Sequence, residues 1–511
     1  MRTRTQKFLK NIFLGAIFQI IAYVISFIAR TVFISVLGKE YLGIQGLFSS
    51  ILSLLSLTEL GIGSAITFCL YEPLAKNDVS KIRILMKYYE KAYKVVSLCV
   101  LGLGLAMFPF LGFIVKETPQ IKDNISLIYL LFLLNSVFSY LFIYKKTIFT
   151  ADQKEYLNSI VVNLSQVVRD VLQLIVLLVT ADYILYLIIQ ILFTITSNII
   201  ISYRADRMYP YLKESSSQKL EKKDWDKIKK NIFAMFNHNI GAFLTTGTDN
   251  LLIAKFVSLT TVGVYSNYTL IISIITKFVN QLASILTPGI GNLSCMEEKS
   301  QVKKVFDQLF LLDFLLTLNV SVGMFIGFNP FVELWVGTEY LFSLMTVVLI
   351  IIQFYLYNIR TSLQVFRNAL GLYYIDRYKP FIESFINLAA SLILVKYYGL
   401  NGIILGTIIG FICTTFWVEP YILFRHYFEL KSSSFFKKYV EFTLLGVICA
   451  VSSKYIFEYI FVGGWLSLIV SLIICSLLLN VFLIMVFWKD QSFQLLLERI
   501  KGIKGLRKYG K

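Results

Sequence analysis

Residues Tyr23 to Gly38 read YVISFIARTVFISVLG, an apolar run broken by one charge, Arg30. Together with the apolar residues before it, the run is long enough to cross a hydrocarbon core of about 30 Å. An arginine near the centre of such a helix costs about 2.5–3.5 kcal/mol on insertion scales, so its retention calls for a partner, water or a ligand. The composition agrees with a bilayer setting. Of the 511 residues, 57% are hydrophobic and 16% are charged, against about 25% charged in soluble domains. Comparable apolar runs recur from end to end and leave no stretch for a sizeable soluble domain. The expected fold class is an all-α polytopic membrane protein.

The net charge of +18 does not mark a nucleic-acid binder. The basic residues lie in short loops between apolar runs, as the positive-inside rule requires. The cysteines (Cys69, Cys99, Cys295, Cys413, Cys449 and Cys475) sit in or beside apolar runs without CxxC spacing. Neither a disulfide nor a metal site is expected, and no cofactor. The start, MRTRTQKFLKN, leads into a run too long for a signal-peptide core, so it reads as a retained first helix.

About fourteen spans emerge from hydropathy, at 12–37, 44–70, 90–115, 125–148, 157–179, 183–203, 231–256, 263–288, 305–331, 343–366, 380–397, 402–424, 439–460 and 465–488. With the N-terminus inside, about 39 of the 49 lysines and arginines fall in inner segments. Both termini are therefore expected in the cytoplasm. The longest inner connection, around 204–230, separates six spans from the next six, and the last pair reads as an addition. The expected organisation is a first lobe at 1–205, a linker at 206–230, a second lobe at 231–425, two more helices within 426–488 and a basic tail at 489–511. GIQGLFSSILSLLS (Gly43 to Ser56) and GVYSNYTLIISIIT (Gly263 to Thr276) echo one another. Repeats of this kind commonly place a substrate path between related halves.

Polar residues spaced by three and four mark the helix faces that look away from lipid. The first span shows Gln19, Tyr23, Ser26 and Arg30; the fifth, Gln166, Arg169 and Gln173; the seventh, His238, Gly241, Thr245 and Asp249. The eighth shows Ser266, Ser273, Lys277 and Asn280, and the tenth Gln353, Tyr357, Arg360, Gln364 and Arg367. The plain reading of such stripes is hydrogen bonding between helices, worth about 0.6 kcal/mol per contact. For the cations a wet cavity is the stronger reading, and Arg30, Lys277, Arg360 and Arg169 are the candidates to line it. Arg367, near an inner end, reads as snorkelling. Glu59 either pairs with Arg30 across the first hairpin or, like Asp249, is a candidate coupling-ion residue. Arg169 and Asp170 are expected to look elsewhere, because adjacent helical residues point about 100° apart. Asp307, Glu383 and Glu419, near inner ends, are expected to be solvated or salt-bridged.

Catalytic signatures are missing. There is no nucleotide-binding glycine loop, HExxH or paired histidines, and the outer loops are too short to build a polymerase site. No filter-like loop suggests a channel. An alternating-access transporter is the reading that remains.

RTVFISVLGKEYLGIQGLFSSILSLLSLTELGIGSAI (Arg30 to Ile66), the following LYEPLAKND, TDNLLIAKFVSLTTVGVYSNY (Thr248 to Tyr268), TPGIGNL (Thr287 to Leu293) and YYGLNGIILGTIIG (Tyr397 to Gly410) resemble the bacterial Wzx-type polysaccharide and O-antigen flippases. These belong to the multidrug/oligosaccharidyl-lipid/polysaccharide exporter superfamily. The resemblance implies two six-helix lobes in a V shape plus two C-terminal helices, in the bacterial cytoplasmic membrane. It implies a polyprenyl-diphosphate-linked glycan as substrate, and a positively lined central cavity in which Arg30 matches a common cation position. Membrane lipids are expected partners and a polysaccharide polymerase a further candidate. Tyr23, Tyr357, Gln19 and Gln364 are candidates to meet the sugars. A drug/cation antiporter of the same superfamily would want a carboxylate in the first helix, and none lies between Phe8 and Gly38. A lipid II flippase shares the fold and the anionic head group. A membrane polysaccharide polymerase is the alternative from another class.

Overall fold

The computed structural model describes residues 4–59, 62–114, 121–141, 143–152, 154–214, 225, 247–372 and 375–498. Side chains are described from Val24 onward, apart from positions 57, 58, 62, 64, 65, 68, 75, 113, 114, 155, 282, 284, 285 and 288. Among the described residues, ten helices are long and apolar enough to cross a membrane, or eleven if one bent pair counts as a single span. The expected fourteen spans extend over residues outside this description, most of 231–256 included. The chain divides into two compact units, Met1–Ser266 and Asn267–Lys511.

In the first unit, α1 (Arg4–Leu55) covers the first expected span and runs into the second, kinked at Gly38 with φ 80°. Only glycine takes that conformation without strain. The second span is then divided by a tight turn at Ser56–Glu59 before α2 (Ile62–Ala75). The remaining helices are α3 (Val79–Met107), α4 (Ile125–Tyr140), α5 (Ile143–Ala151), α6 (Glu155–Thr180) and α7 (Tyr183–Met208). The expected fourth span is the bent pair α4–α5, with 43° between its parts. A bend in lipid leaves carbonyls that water cannot serve. Here the Asn198 amide donates to the carbonyls of Phe138, Ser139 and Leu141 at 3.1, 3.3 and 3.2 Å. The aromatic core sets Phe48 against Tyr129 and Phe132, with ring centroids 5.3 and 5.8 Å apart. The Tyr129 hydroxyl donates to the Gly104 carbonyl at 2.8 Å, tying α4 to α3.

Helix α8 (Leu259–Met296) starts in the first unit and ends in the second. The second unit continues with α9 (Lys299–Val336), α10 (Leu344–Asn358), α11 (Thr361–Ala369), α12 (Lys379–Tyr398), α13 (Leu400–Cys413), α14 (Thr415–Ile422), α15 (Ser433–Ile460) and α16 (Gly464–Phe487). The expected tenth span is thus two helices broken at Ile359 and Arg360. The Asp313 carboxylate of α9 accepts the Ser362 N–H at the start of the second piece. The twelfth span breaks at Thr414, and its end widens over Leu423–Phe428 after Pro420, which cannot donate to the helix. Helices α12 and α13 form a close hairpin along Gly402, Gly406 and Gly410. A Cβ on Gly406 would fall 2.2 Å from Ser391 Oγ, the close approach that small residues permit in membranes. The last two helices pack on α9 through stacked rings, Phe314 on Phe442 at 4.4 Å with Phe487 edge-on at 6.1 Å. That contact makes the C-terminal pair part of the second unit's core.

Candidate functional site

The stripe on α1 meets those of the fifth and eighth expected spans inside the first unit. The Ser26 hydroxyl donates to Asp170 Oδ2 at 2.8 Å and accepts from the Gln166 amide at 3.1 Å. Arg169 Nε and Nη2 both donate to Asp170 Oδ1, at 3.0 and 2.7 Å. This corrects the expectation that neighbours on a helix look apart: the arginine stem is long enough to fold back across 100° of helix surface. Asp170 is 5% exposed, so the charge of Arg169 is matched by a buried carboxylate.

Arg30 is different. Its Nη1 donates to Gln45 Oε1 at 3.1 Å and its Nη2 to Ser266 Oγ at 2.5 Å, both neutral acceptors. Among the described residues no carboxylate lies within ion-pair distance of it. Phe33, one turn along, packs edge-on against Tyr183 and Tyr186, with centroids 5.6 and 5.5 Å away. Those two tyrosines stack on each other at 5.8 Å. The pairing of Glu59 with Arg30 is not found; Glu59 accepts the Tyr93 hydroxyl instead. The break in the second span brings Glu59 to Tyr93 on α3.

Asp249 is 7% exposed, and its Oδ1 has no hydrogen-bond partner among the described residues. Its neighbour Asn250 donates to Ser50 Oγ at 3.0 Å. Gln19 and Tyr23 lie on α1 before the described side chains, and His238, Gly241 and Thr245 lie outside the described residues.

In the second unit, Arg360 sits at the break of the tenth span. Its guanidinium lies over the rings of Tyr357 and Phe411, 5.5 Å from each centroid. It does not stand alone: its Nη1 is 2.7 Å from Glu419 Oε1. Arg367 and Lys379 reach the same oxygen at 2.7 and 2.5 Å, and Arg367 also reaches Asp376 at 2.7 Å. Glu419 is 2% exposed. Arg367 is therefore held in a buried cluster rather than snorkelling, while Glu419 is salt-bridged, the second of its two expectations. Beside the cluster, Glu383 accepts the Tyr357 and Thr415 hydroxyls at 3.0 and 2.5 Å. With three cations facing Asp376, Glu383 and Glu419, the group is close to self-neutral and staples α11, α12 and α14.

Lys277 and Asn280 are exposed on α8. Ser273 donates to the Leu270 carbonyl of its own helix at 2.8 Å, and Gln364 is half-buried. The polar stripes did not reveal Tyr183, Tyr186, Asp376 or Lys379. The available signals were two tyrosines three apart at the head of an apolar run, and a lone acid, Glu419, inside FWVEPYILF. Among the described residues no group of three His, Cys, Asp or Glu gathers as a metal site. Among the described residues the chain thus offers anchored cations, one of them with no carboxylate beside it.

Comparison with known proteins agrees with that inventory. The chain is similar to a structure of the lipid II flippase MurJ in an inward closed conformation, at 13% identity and a TM-score of 0.67, over 93% of this chain and 100% of that one. It is similar to the Vibrio cholerae MATE transporter VcmN at 16% identity and a TM-score of 0.57, over 84% and 99% of the two chains. An inward-facing multidrug resistance MATE family transporter of the MOP superfamily matches at 13% identity and a TM-score of 0.58, over 76% and 90%. These relatives are a flippase and transporters rather than enzymes, and at such identities the likeness is one of fold. No curated protein sequence matches significantly. Residues 8–294, more than half of the chain, match the family described as polysaccharide biosynthesis protein. The chain is a multi-pass membrane protein of the flippase and transporter fold, and it belongs to the polysaccharide biosynthesis protein family.

Proposed function

We propose that the protein is a flippase that moves undecaprenyl-diphosphate-linked oligosaccharide repeat units from the cytoplasmic to the outer leaflet by alternating access. The product would feed capsule, exopolysaccharide or O-antigen export across a bacterial cytoplasmic membrane, with both termini inside. The observation that carries this reading is Arg30, a cation within the first span held, among the described residues, by the neutral groups of Gln45 and Ser266. An unpaired diphosphate cannot enter hydrocarbon, because isolated buried ions cost many kcal/mol. An arginine offers bidentate, charge-assisted donation to phosphate oxygens. Lys277, exposed on α8, is proposed as a second cation for the head group, while Arg169 and Arg360, each paired with a buried carboxylate, are not called on for it.

The pairing also suits the membrane potential. Moving one positive charge outward against it costs about 2.3 kcal/mol per 100 mV, and an anionic head group bound to that cation offsets the cost. Asp249, buried with an oxygen unpartnered among the described residues, is the coupling-ion candidate, with Glu59 second. Membrane lipids hold the polyprenyl tail, and a polysaccharide polymerase would take the product. The test is the leaflet accessibility of labelled lipid-linked oligosaccharide in proteoliposomes, comparing the natural chain with Arg30→Ala and Lys277→Ala. Translocation should fall in both. Undiminished movement in both would remove the proposed roles, and joined sugars appearing in the assay would point to a polymerase.

A further inference from the structure

At the break in the second span, four hydroxyls gather beside one carboxylate. The Tyr93 hydroxyl of α3 donates to Glu59 Oε1, and the Tyr140 hydroxyl of α4 reaches both Ser56 and Glu59. One turn before Tyr93, the Tyr89 ring stands edge-on to it at 4.6 Å, and Thr147 Oγ1 of α5 donates to the Tyr89 hydroxyl at 3.0 Å. A Cβ on Gly63, in the first turn of α2, would fall 3.0 Å from the Tyr89 hydroxyl and 3.1 Å from that of Tyr93. The two hydroxyls therefore sit where the second span is divided, and a glycine leaves them room.

The carboxylate is met by neutral donors. The titratable groups facing Glu59 are Tyr93 and Tyr89 from α3 and Tyr140 from α4. On α1 no charged residue follows Glu40, and α4 carries none. Glu72 near the end of α2 pairs with Lys76, Glu90 with Lys94 on α3, and Lys145 of α5 with Asp206. Among the described residues no cation lies within ion-pair distance of Glu59. The three tyrosines are buried and Glu59 is half-buried, so the carboxyl is the member of the group that meets its surroundings. An ionised carboxylate only accepts hydrogen bonds, whereas the oxygen that takes a proton becomes a donor. Proton uptake therefore turns away a tyrosine that ties the turn to its neighbouring helices. A metal ion would need oxygen lone pairs aimed at it, and the Tyr93 hydroxyl aims its proton instead.

We propose that Glu59 is a proton-binding site whose occupancy releases the Ser56–Glu59 turn from α3 and α4. The step moves one proton from water to the carboxylate and breaks one phenol-to-carboxylate hydrogen bond, leaving the phenol free to turn. Ionised Glu59 holds the break in the second span closed against its neighbours; protonated Glu59 loosens it. The site deepens the flippase reading by giving its second coupling candidate a chemistry, a proton, and a mechanical output.

The test is hydrogen–deuterium exchange of the purified full-length protein in detergent, followed over the Ser56–Gly63 segment in alkaline and in acid buffer. Rates are corrected for the intrinsic pH dependence of exchange, so that they report local opening. The natural chain should open about tenfold more in acid, the factor that loss of one hydrogen bond to a charged group supplies. Glu59→Gln, neutral at every pH, should open in both buffers as the natural chain does in acid. Tyr93→Phe, which keeps Glu59 and removes one tie, should already be loose in alkaline buffer. Equal opening of the natural chain in both buffers would overturn the site, as would a pH response that survives in Glu59→Gln. Alkaline protection of Tyr93→Phe equal to that of the natural chain would overturn the release. The exchange measurement uses no substrate, so a natural chain that failed to translocate lipid-linked oligosaccharide would sink the flippase reading and leave this result legible.

Discussion

Gly43 and Gly263 lie back to back: a Cβ on Gly43 would fall 2.1 Å from the Leu259 carbonyl oxygen, and one on Gly263 would fall 2.4 Å from the Lys39 carbonyl oxygen. These glycines open the two echoing segments of the sequence, so the echo marks a place where two helices touch backbone to backbone. Gly43→Val or Gly263→Val must push the helices apart. Each should lower Tm in detergent by several degrees, with overpacking costing about 1–3 kcal/mol. Gly323→Ala, with nothing within 4 Å of the added Cβ, should melt as the natural chain does. Equal melting of all three would show that the close approach carries no stability.

Glu419 gathers three cations on one buried oxygen, and removing it leaves them facing Asp376 and Glu383 with an excess of positive charge. Glu419→Gln should cost about 3–5 kcal/mol, which will read as poor recovery of folded protein. Adding Arg360→Gln should recover part of the loss, because fewer buried charges then lack a partner. Additive losses in a double-mutant cycle would mean that the pair is not coupled.

Two of the interrupted spans, the fourth and the tenth, rest on distant polar caps. Asp313→Asn keeps an acceptor for the Ser362 N–H and should be tolerated, whereas Asp313→Leu should cost about 1–3 kcal/mol. Asn198→Leu, which strips donors from three carbonyls, should lower Tm in the same range. If Asp313→Asn and Asp313→Leu melt alike, the capping account fails.

Asp249→Asn preserves shape and removes the charge. If Asp249 couples an ion to transport, the variant should bind lipid-linked substrate normally and lose its response to an imposed proton or sodium gradient. A response equal to that of the natural chain would exclude Asp249 from coupling.

Much of the helical plan was legible because lipid imposes a simple length and composition on each span. The runs at 157–179 and 183–203 appear as Glu155–Thr180 and Tyr183–Met208. The interruptions were not legible, since Asn198 and Asp313 act on breaks 57 or more and 49 residues away, and no local pattern announces them. The polar stripes brought Ser26 to Gln166 and Arg30 to Ser266, because period alone sets which side chains share a face. Charge partners escaped the same reasoning: a long side chain such as that of Arg169 can curl back on its neighbour, and Glu419 reaches its cations only through tertiary packing. Tyr183 escaped because an aromatic residue at the end of an apolar run looks like any interface anchor.

The most direct test of the central claim is the rate at which proteoliposomes carrying Arg30→Gln move two substrates that share one glycan and one polyprenyl tail. One bears the diphosphate and the other a neutral linkage. If Arg30 serves the anionic head group, the diphosphate substrate should slow at least tenfold, about 1.4 kcal/mol, while any movement of the neutral one stays unchanged. Equal slowing of both, or of neither, would contradict the account.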